Sequence, residues 1–261
     1  MHHIMLDQFA GRRSPVHRLD PAAKTVAMLA AVLATVLVGR DRFLPLVPVA
    51  VALATYHAIG RTPIAYTLRR LAVVSPFALA VVVLFPFLEP GQPVWSATLG
   101  GWTVDVTREG LVRAGHLASK FVLCAWAALL LLATTPFPDV LQALARLKVP
   151  RALVVQLAFL YRYLWVLMDE VMRVGMARAA RDGGLGPWRA RFQSRAGVVG
   201  VLFLRTYDRA ERIYWAMAAR GFDGTVHAPT TAHLHGRDWV FMIATVAGAA
   251  AVVAWDRIAR G

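Results

Sequence analysis

Five long apolar runs constrain this chain more than any other feature of its sequence. They span residues 22–38, 43–59, 71–88, 116–135 and 239–255, and charged side chains are rare within them. A helix of about 20 apolar residues crosses the ~30 Å hydrocarbon core of a bilayer, because each residue rises about 1.5 Å. Hydrophobic residues make up 58% of the chain, and its mean hydropathy is +0.53. We therefore predict an all-α membrane protein with about five transmembrane helices.

The distribution of charge predicts how these helices are oriented. The chain carries 29 Lys and Arg residues against 15 Asp and Glu residues. Basic residues concentrate in the N-terminal tail, in the loop at 60–70 and in the segment 137–237. The positive-inside rule then places the N-terminus and all three basic regions in the cytoplasm. A basic excess of this kind fits nucleic acid, anionic lipid or the cytoplasmic loops of a membrane protein, but because these charges lie between apolar spans, we predict no nucleic-acid partner.

The same pattern divides the chain into three segments. Residues 1–136 hold the tail and four transmembrane helices, residues 137–237 form a cytoplasmic domain, and residues 238–261 hold the last span. Asp20 and Pro21 are typical of a helix start. Gly and Pro alternate with short Val, Trp and Thr runs over 89–113, which indicates a loop with room for a hairpin.

Metal binding is not predicted for any part of the chain. Cys124 is the single cysteine, so neither an intrachain disulfide nor a thiolate cluster can form. His233 and His235 could approach a metal, but histidines in a polar loop are more often solvated. We therefore predict no metal ligand here.

The cytoplasmic segment contains two candidate amphipathic helices. Residues 151–168 are apolar enough to span the membrane, but a central Arg162 costs about 2.5–3.5 kcal/mol on insertion scales. The apolar stripe continues past Asp169 and Glu170, so a long helix packed on other helices is favoured over a sixth span. The second helix covers about 190–219, and its Asp208 is spaced to pair with Arg212. The two helices are expected to pack through the following apolar residues: Leu157, Tyr161, Leu164, Phe203, Tyr207, Tyr214 and Met217.

Each of these helices ends in the same short phrase, Ala-x-x-Ala-Arg-(Gly/Asp). Its members are Ala177, Ala180 and Arg181 in the first copy, and Ala216, Ala219, Arg220 and Gly221 in the second. Small side chains before each arginine let another protein approach the backbone, and a guanidinium offers a planar fork of donors that matches a carboxylate. The helix dipole also favours an arginine at a helix end, but two copies favour a binding role.

The motifs together resemble a known family. Ala216-Met-Ala-Ala-Arg-Gly-Phe222 is similar to the second Ala-Arg-Gly motif of the T component of energy-coupling factor transporters, and residues 177–182 are similar to the first. The N-terminal His17-Arg-Leu-Asp-Pro-Ala-Ala-Lys24 also fits, and Tyr161-Arg-Tyr-Leu-Trp-Val-Leu-Met-Asp-Glu170 resembles the cobalt/nickel branch. Asp182 departs from the family pattern, which has Gly at that position.

The resemblance implies a non-catalytic scaffold in a bacterial inner membrane. Two cytoplasmic ATPase subunits would each take one of the arginines, Arg181 and Arg220, into a groove. The scaffold would couple them to a substrate-binding membrane subunit for cobalt or nickel, with a small accessory membrane subunit as a further candidate partner. Magnesium-bound ATP would belong to the ATPase subunits, so no cofactor is expected in this chain.

Two alternatives remain open. One is a shared T component that serves vitamin-specific subunits. The other is a membrane-embedded enzyme of the phosphotransferase type, which requires convergent carboxylates. The acidic residues of 137–237 are scattered along the segment, and the chain has no Gly-x-x-x-x-Gly-Lys-(Ser/Thr) loop. We therefore predict no catalytic residues.

Overall fold

The computed structural model describes residues 14–39, 42–99, 102–182, 188–224 and 235–259. Within these residues the chain forms eight α-helices and one β-hairpin. In order they are α1 Pro21–Leu37, α2 Leu46–Gly60, α3 Ile64–Leu88, β1 Pro93–Leu99, β2 Trp102–Thr107, α4 Arg108–Thr134, α5 Phe137–Arg146, α6 Arg151–Asp182, α7 Trp188–Ala218 and α8 Gly236–Ile258. The predicted break at 183–187 and His233 lie outside the described residues.

The chain divides into two compact units. The first comprises residues 1–143 and 230–261, and the second comprises residues 144–229. Helices α1 to α4, α8 and the hairpin belong to the first unit, whereas α6 and α7 belong to the second. Helix α5 begins in the first unit and ends in the second. The three-segment division predicted from the sequence stays a prediction, since it concerns the position of each segment relative to the membrane.

Every predicted transmembrane run lies in a helix of the first unit. Among the described helices, α4, α6 and α8 are each long and apolar enough to cross a membrane. The two halves of α3 meet at a 53° bend after Pro76 and together make a fourth candidate, while α1 and α2 are apolar but shorter. The prediction of an all-helical membrane protein is confirmed. Helix α6 passes the same criterion, so the alternative of a span at 151–168 stays open.

The core of the first unit lies between α1, α2, α4 and α8. Leu130 is almost completely buried there, and Met28, Leu53 and Tyr56 pack around it. Large apolar side chains on the outer faces of these helices remain exposed, as Leu33 on α1 and Val51 on α2 illustrate. Such an arrangement suits a lipid environment, in which outward-facing apolar residues cost nothing.

Two lysines inside apolar helices join α1 to α4. The Lys24 side chain is only 2% exposed, and its Nζ donates to the carbonyl oxygen of Thr134 at 3.0 Å. Lys120 Nζ donates to the carbonyl oxygens of Val36 and Val38 at 3.0 and 2.7 Å. Because the last carbonyls of a helix lack intrahelical partners, each lysine caps the end of the other's helix. This explains why both charges are accepted within apolar runs.

Two aspartates fix the helix starts at one end of the bundle. The Asp20 carboxylate accepts the Ala22 N–H at 2.8 Å and so caps α1, as predicted. The Asp238 carboxylate accepts the N–H of His235 at 2.9 Å and that of Asp20 at 3.0 Å. The beginnings of α1 and α8 are therefore held side by side. His235 is the N-cap residue of α8.

The loop between α3 and α4 contains the hairpin that its composition allowed. Strands β1 and β2 pair antiparallel, with Ser96 opposite Asp105. The Thr107 hydroxyl donates to the Glu89 carbonyl at 2.8 Å and accepts the Gly110 N–H at 3.2 Å, which caps α4. The hairpin is thus anchored directly to the ends of α3 and α4.

Candidate functional site

The second unit is organised around one ion pair between α6 and α7. Arg205 of α7 donates through Nη1 to Glu170 Oε1 of α6 at 2.5 Å. The Glu170 side chain is 11% exposed and the Arg205 side chain 57% exposed. Arg173, one turn further along α6, lies 3.8 Å from the other carboxylate oxygen. Because a mostly covered carboxylate requires a partner, this pair fixes the register at which the two helices meet.

An apolar groove of about 450 Å³ runs beside the ion pair. Helix α6 lines it mainly with aromatic and aliphatic side chains, whereas α7 adds the polar Thr206 and Arg209 near Arg205. The apolar lining residues are Phe159, Leu160, Tyr163, Leu164, Val166, Leu167, Ala210, Ile213, Tyr214 and Met217. The groove has the composition of a pocket for an apolar side chain, with one charged margin.

The predicted packing residues fall into two groups. Leu164, Tyr214 and Met217 line the groove together. Phe203 and Tyr207 stay 66% and 56% exposed, and their rings lie 6.5 Å apart on the surface of α7.

Tyr161 contacts Trp165 edge to face on its own helix, at 6.5 Å between ring centroids. Leu157 is also exposed. Much of the predicted stripe therefore remains available on the surface of the second unit.

The charge pairing on α7 differs from the sequence prediction. Asp208 and Arg212 make no ion pair within the described chain, although their spacing allows one. An exposed pair of this kind contributes only about 0.3–0.5 kcal/mol, so solvation of both groups competes with it. Arg205 from the same helix face instead pairs with Glu170 across the two helices. Glu170 and Arg205 are the site residues that the sequence analysis did not single out.

Arg220 lies at a well-defined helix cap. Helix α7 ends at Ala218, and the turn that follows holds Gly221 at a φ of +75°. The N–H of Phe222 donates to the Met217 carbonyl at 3.1 Å, and the N–H of Gly221 donates to the Ala218 carbonyl at 3.0 Å. These two bonds form a Schellman motif, in which a residue with positive φ ends the helix. Glycine is favoured there because it has no Cβ.

Arg181 is held differently from Arg220. It lies in the last turn of α6, and the helix continues through Asp182. Since Asp182 remains helical, the first phrase ends without the left-handed residue that follows Arg220. The two copies therefore share side chains but not backbone geometry.

Both arginines are open to a partner. Arg181 and Arg220 are exposed, as are Ala177, Ala180, Ala216 and Ala219 around them. Within the part of the chain that the structure describes, neither arginine makes an ion pair or hydrogen bond. Each guanidinium is thus available to an acidic group on another protein. The described residues also contain no group of three or more His, Cys, Asp and Glu side chains that could hold a metal ion.

A search against protein families matches residues 12–231 to the model described as "Cobalt transport protein". The chain belongs to the CbiQ family. The matched range includes α1 to α7 and both arginine phrases. This confirms the resemblance stated from the sequence and the assignment to a multi-pass membrane protein of a transporter.

Individual relatives include proteins named EcfT and proteins named CbiQ. The energy-coupling factor transporter transmembrane protein EcfT of Lactococcus lactis is 24% identical over 99% of this chain and all of its own length. The EcfT protein of Thermanaerovibrio acidaminovorans is 29% identical over 94% of both chains. The cobalt transport protein CbiQ of Rhodobacter capsulatus is 30% identical over 64% of this chain and 69% of its own. These relatives are transport proteins.

Proposed function

We propose that this chain is the membrane scaffold of an ATP-driven importer, and that Arg220 and Arg181 bind two cytoplasmic ATPase subunits. The observation that carries this proposal is the cap around Arg220. A Schellman motif fixes the backbone on both sides of an exposed arginine that has no partner in the described chain. A fixed backbone reduces the entropy lost when the arginine enters an acidic groove.

The apolar surface of the second unit supports a second contact. Phe203, Tyr207 and Leu204 are exposed on α7, and Met172 and Met176 are exposed on α6. Exposed apolar surface of this extent is typical of protein interfaces. We assign this surface to the substrate-binding membrane subunit. ATP-driven movement would then pass through α6 and α7, which the Glu170–Arg205 pair holds in register.

The experiment is a pull-down of the ATPase subunits encoded in the same genome, co-expressed with this chain and purified in mild detergent. Arg220→Glu should reduce the retained ATPase at least about tenfold, because a repulsive contact replaces an attractive one. Arg212→Glu makes the same charge change on the exposed side of α7 and should leave binding within about twofold of wild type. Membrane insertion and elution volume should be unchanged in both variants.

Arg181→Glu separates the two contacts. If Arg220 makes the stronger of the two contacts, Arg181→Glu should lower the retained ATPase only about twofold, much less than Arg220→Glu does. Full retention and full uptake in the Arg181→Glu, Arg220→Glu double variant would contradict the proposal.

The substrate is proposed to be cobalt or nickel. The family description favours a metal ion, whereas the full-length similarity to EcfT proteins favours a shared scaffold for vitamin-specific subunits. Uptake of radiolabelled cobalt(II) and nickel(II) by cells that express the intact transporter distinguishes the two. Metal uptake that requires Arg220 supports the dedicated transporter. Vitamin uptake that requires Arg220, with no metal uptake, supports the shared scaffold.

A further inference from the structure

The first unit contains a large cavity that the proposed scaffold function does not use. It has a volume of about 750 Å³ and lies between α1, α2 and α8. Small residues from all three helices create the space, among them Ala31 on α1, Ala52 on α2, and Gly248 and Ala249 on α8. A Cβ added at Gly248 would meet no atom within 4 Å, so the space beside this glycine is open.

The cavity extends along the helices, and two positively charged side chains line one of its ends. It follows α1 from Ala27 to Ala34, which is about 10 Å at 1.5 Å per residue. At the end where α1 and α8 begin, its lining includes Arg18 and Arg237. The hydrogen bond from the Asp20 N–H to the Asp238 carboxylate holds these two helix starts together. The apolar cavity is thus charged at one end only.

The two arginines are available to an anion. Both are exposed, and neither forms an ion pair or hydrogen bond within the described residues. The nearest carboxylates in sequence, Asp20 and Asp238, already accept backbone N–H groups at the helix caps. The positive-inside rule places this end of the bundle at the cytoplasmic surface, where anionic lipid headgroups give a negative potential.

These features together fit an amphiphile with one negative head and an apolar tail. We propose that the cavity binds an anionic phospholipid of the cytoplasmic leaflet, with an acyl chain beside Gly248 and its phosphate at Arg18 and Arg237. Close packing of the helices would explain the small residues, but it would not explain the two arginines at one end of the cavity. A phosphate accepts bonds from two guanidinium groups at once, which explains why both stand at the same end.

The test uses the full-length chain in mild detergent with equal amounts of phosphatidylglycerol and phosphatidylcholine that carry the same acyl chains. Native mass spectrometry then counts the lipids retained on the protein. Wild type should retain phosphatidylglycerol about tenfold over phosphatidylcholine. The Arg18→Gln, Arg237→Gln double variant should bring this ratio close to one. Arg257→Gln, at the other end of α8, is the matched charge control and should leave the ratio unchanged.

A second variant tests the cavity itself and does not depend on the arginines. Gly248→Leu puts a side chain into the open space and should lower the amount of phosphatidylglycerol retained at least about fivefold. Ala247→Leu adds the same bulk on the exposed face of α8 and should not change retention. Elution volume and melting temperature identify any variant that misfolds, in which case the other variant decides.

Three outcomes would overturn the proposal. Equal retention of the two lipids by wild type would show that the charges do not select a headgroup. An unchanged ratio in the double arginine variant would place the bound lipid elsewhere. Undiminished retention in Gly248→Leu would show that the acyl chain does not enter this cavity.

Discussion

Replacing Gly221 with alanine tests whether the backbone at the end of α7, and not only the Arg220 side chain, is part of the proposed ATPase contact. Gly221 has a φ of +75°, and a Cβ added there would meet no atom within 4 Å. The substitution therefore introduces no clash. Its effect comes only from the preference of alanine for negative φ.

The magnitude follows from this conformational preference. An L-residue in the left-handed region is less stable than glycine by about 1 kcal/mol. In the Gly221→Ala variant, the cap can keep its shape at this cost in stability. Alternatively the turn changes, and the hydrogen bonds that residues 221 and 222 donate to α7 are lost. When the turn changes, binding must restore the cap, so the binding-competent position of Arg220 is disfavoured by about 1 kcal/mol. Since 1.4 kcal/mol corresponds to a factor of ten, ATPase affinity should fall about fivefold.

The assay is a titration of the purified ATPase subunits onto the detergent-solubilised scaffold. Gly221→Asn should bind more tightly than Gly221→Ala, because asparagine tolerates the left-handed region better than alanine does. Gly224→Ala is the matched control, since Gly224 also has a positive φ, +85°, and open space around it. It lies beyond the cap and should leave affinity within about twofold of wild type.

Two results would refute this reasoning. Wild-type affinity in a Gly221→Ala variant whose turn has changed would show that the Schellman cap does not position the contact. An equal loss in Gly224→Ala would show that the effect is general strain in the turn and is not specific to Arg220. Arg220→Glu should reduce affinity more than Gly221→Ala does, because it removes the contact itself.

Two further substitutions test the packing of the fold. Gly110→Ala should destabilise the protein by about 1–3 kcal/mol, because the new Cβ would lie 2.7 Å from the Pro86 backbone. Gly115→Ala is the control and should be tolerated, because its Cβ meets only the Phe43 ring, at 3.6 Å. Denaturant unfolding in detergent compares the stabilities of the two variants. Lys148→Gly should stabilise the turn after α5 by about 1 kcal/mol, because Lys148 has a φ of +61°, which glycine adopts more readily than lysine. A lower melting temperature in this variant would contradict that expectation.

The apolar runs predicted most of the helices because the membrane leaves few alternatives. Each run of the first unit lies in one helix, and the start of α1 at Pro21 follows directly from its Asp20 cap. The start of α3 is less predictable. The apolar run begins at Leu71, but the helix begins at Ile64 after Pro63, because polar residues and arginines can extend a helix beyond its apolar part. The hairpin at 93–107 was predictable as a possibility from its Gly and Pro punctuation.

Contacts between distant residues could not be predicted in the same way. Lys24 and Thr134 are 110 residues apart in sequence, yet the lysine caps the helix that ends at Thr134. Glu170 and Arg205 are separated by 35 residues, and either could pair with several neighbours on its own helix. Only the packing of the helices decides among such partners. The cavity between α1, α2 and α8 depends on three helices at once, so no local pattern indicates its volume.

The repeated phrase shows most directly how sequence similarity and structural equivalence differ. Arg181 and Arg220 follow the same small residues, but Gly221 completes the cap of α7 immediately after Arg220, whereas Asp182 continues α6 beyond Arg181. Arg220 is therefore held at a capped end and Arg181 on the side of a helical turn. If both bind the same kind of acidic groove, the partner must approach the two backbones differently. The two proposed ATPase contacts should then be unequal in strength, with the capped Arg220 as the stronger one.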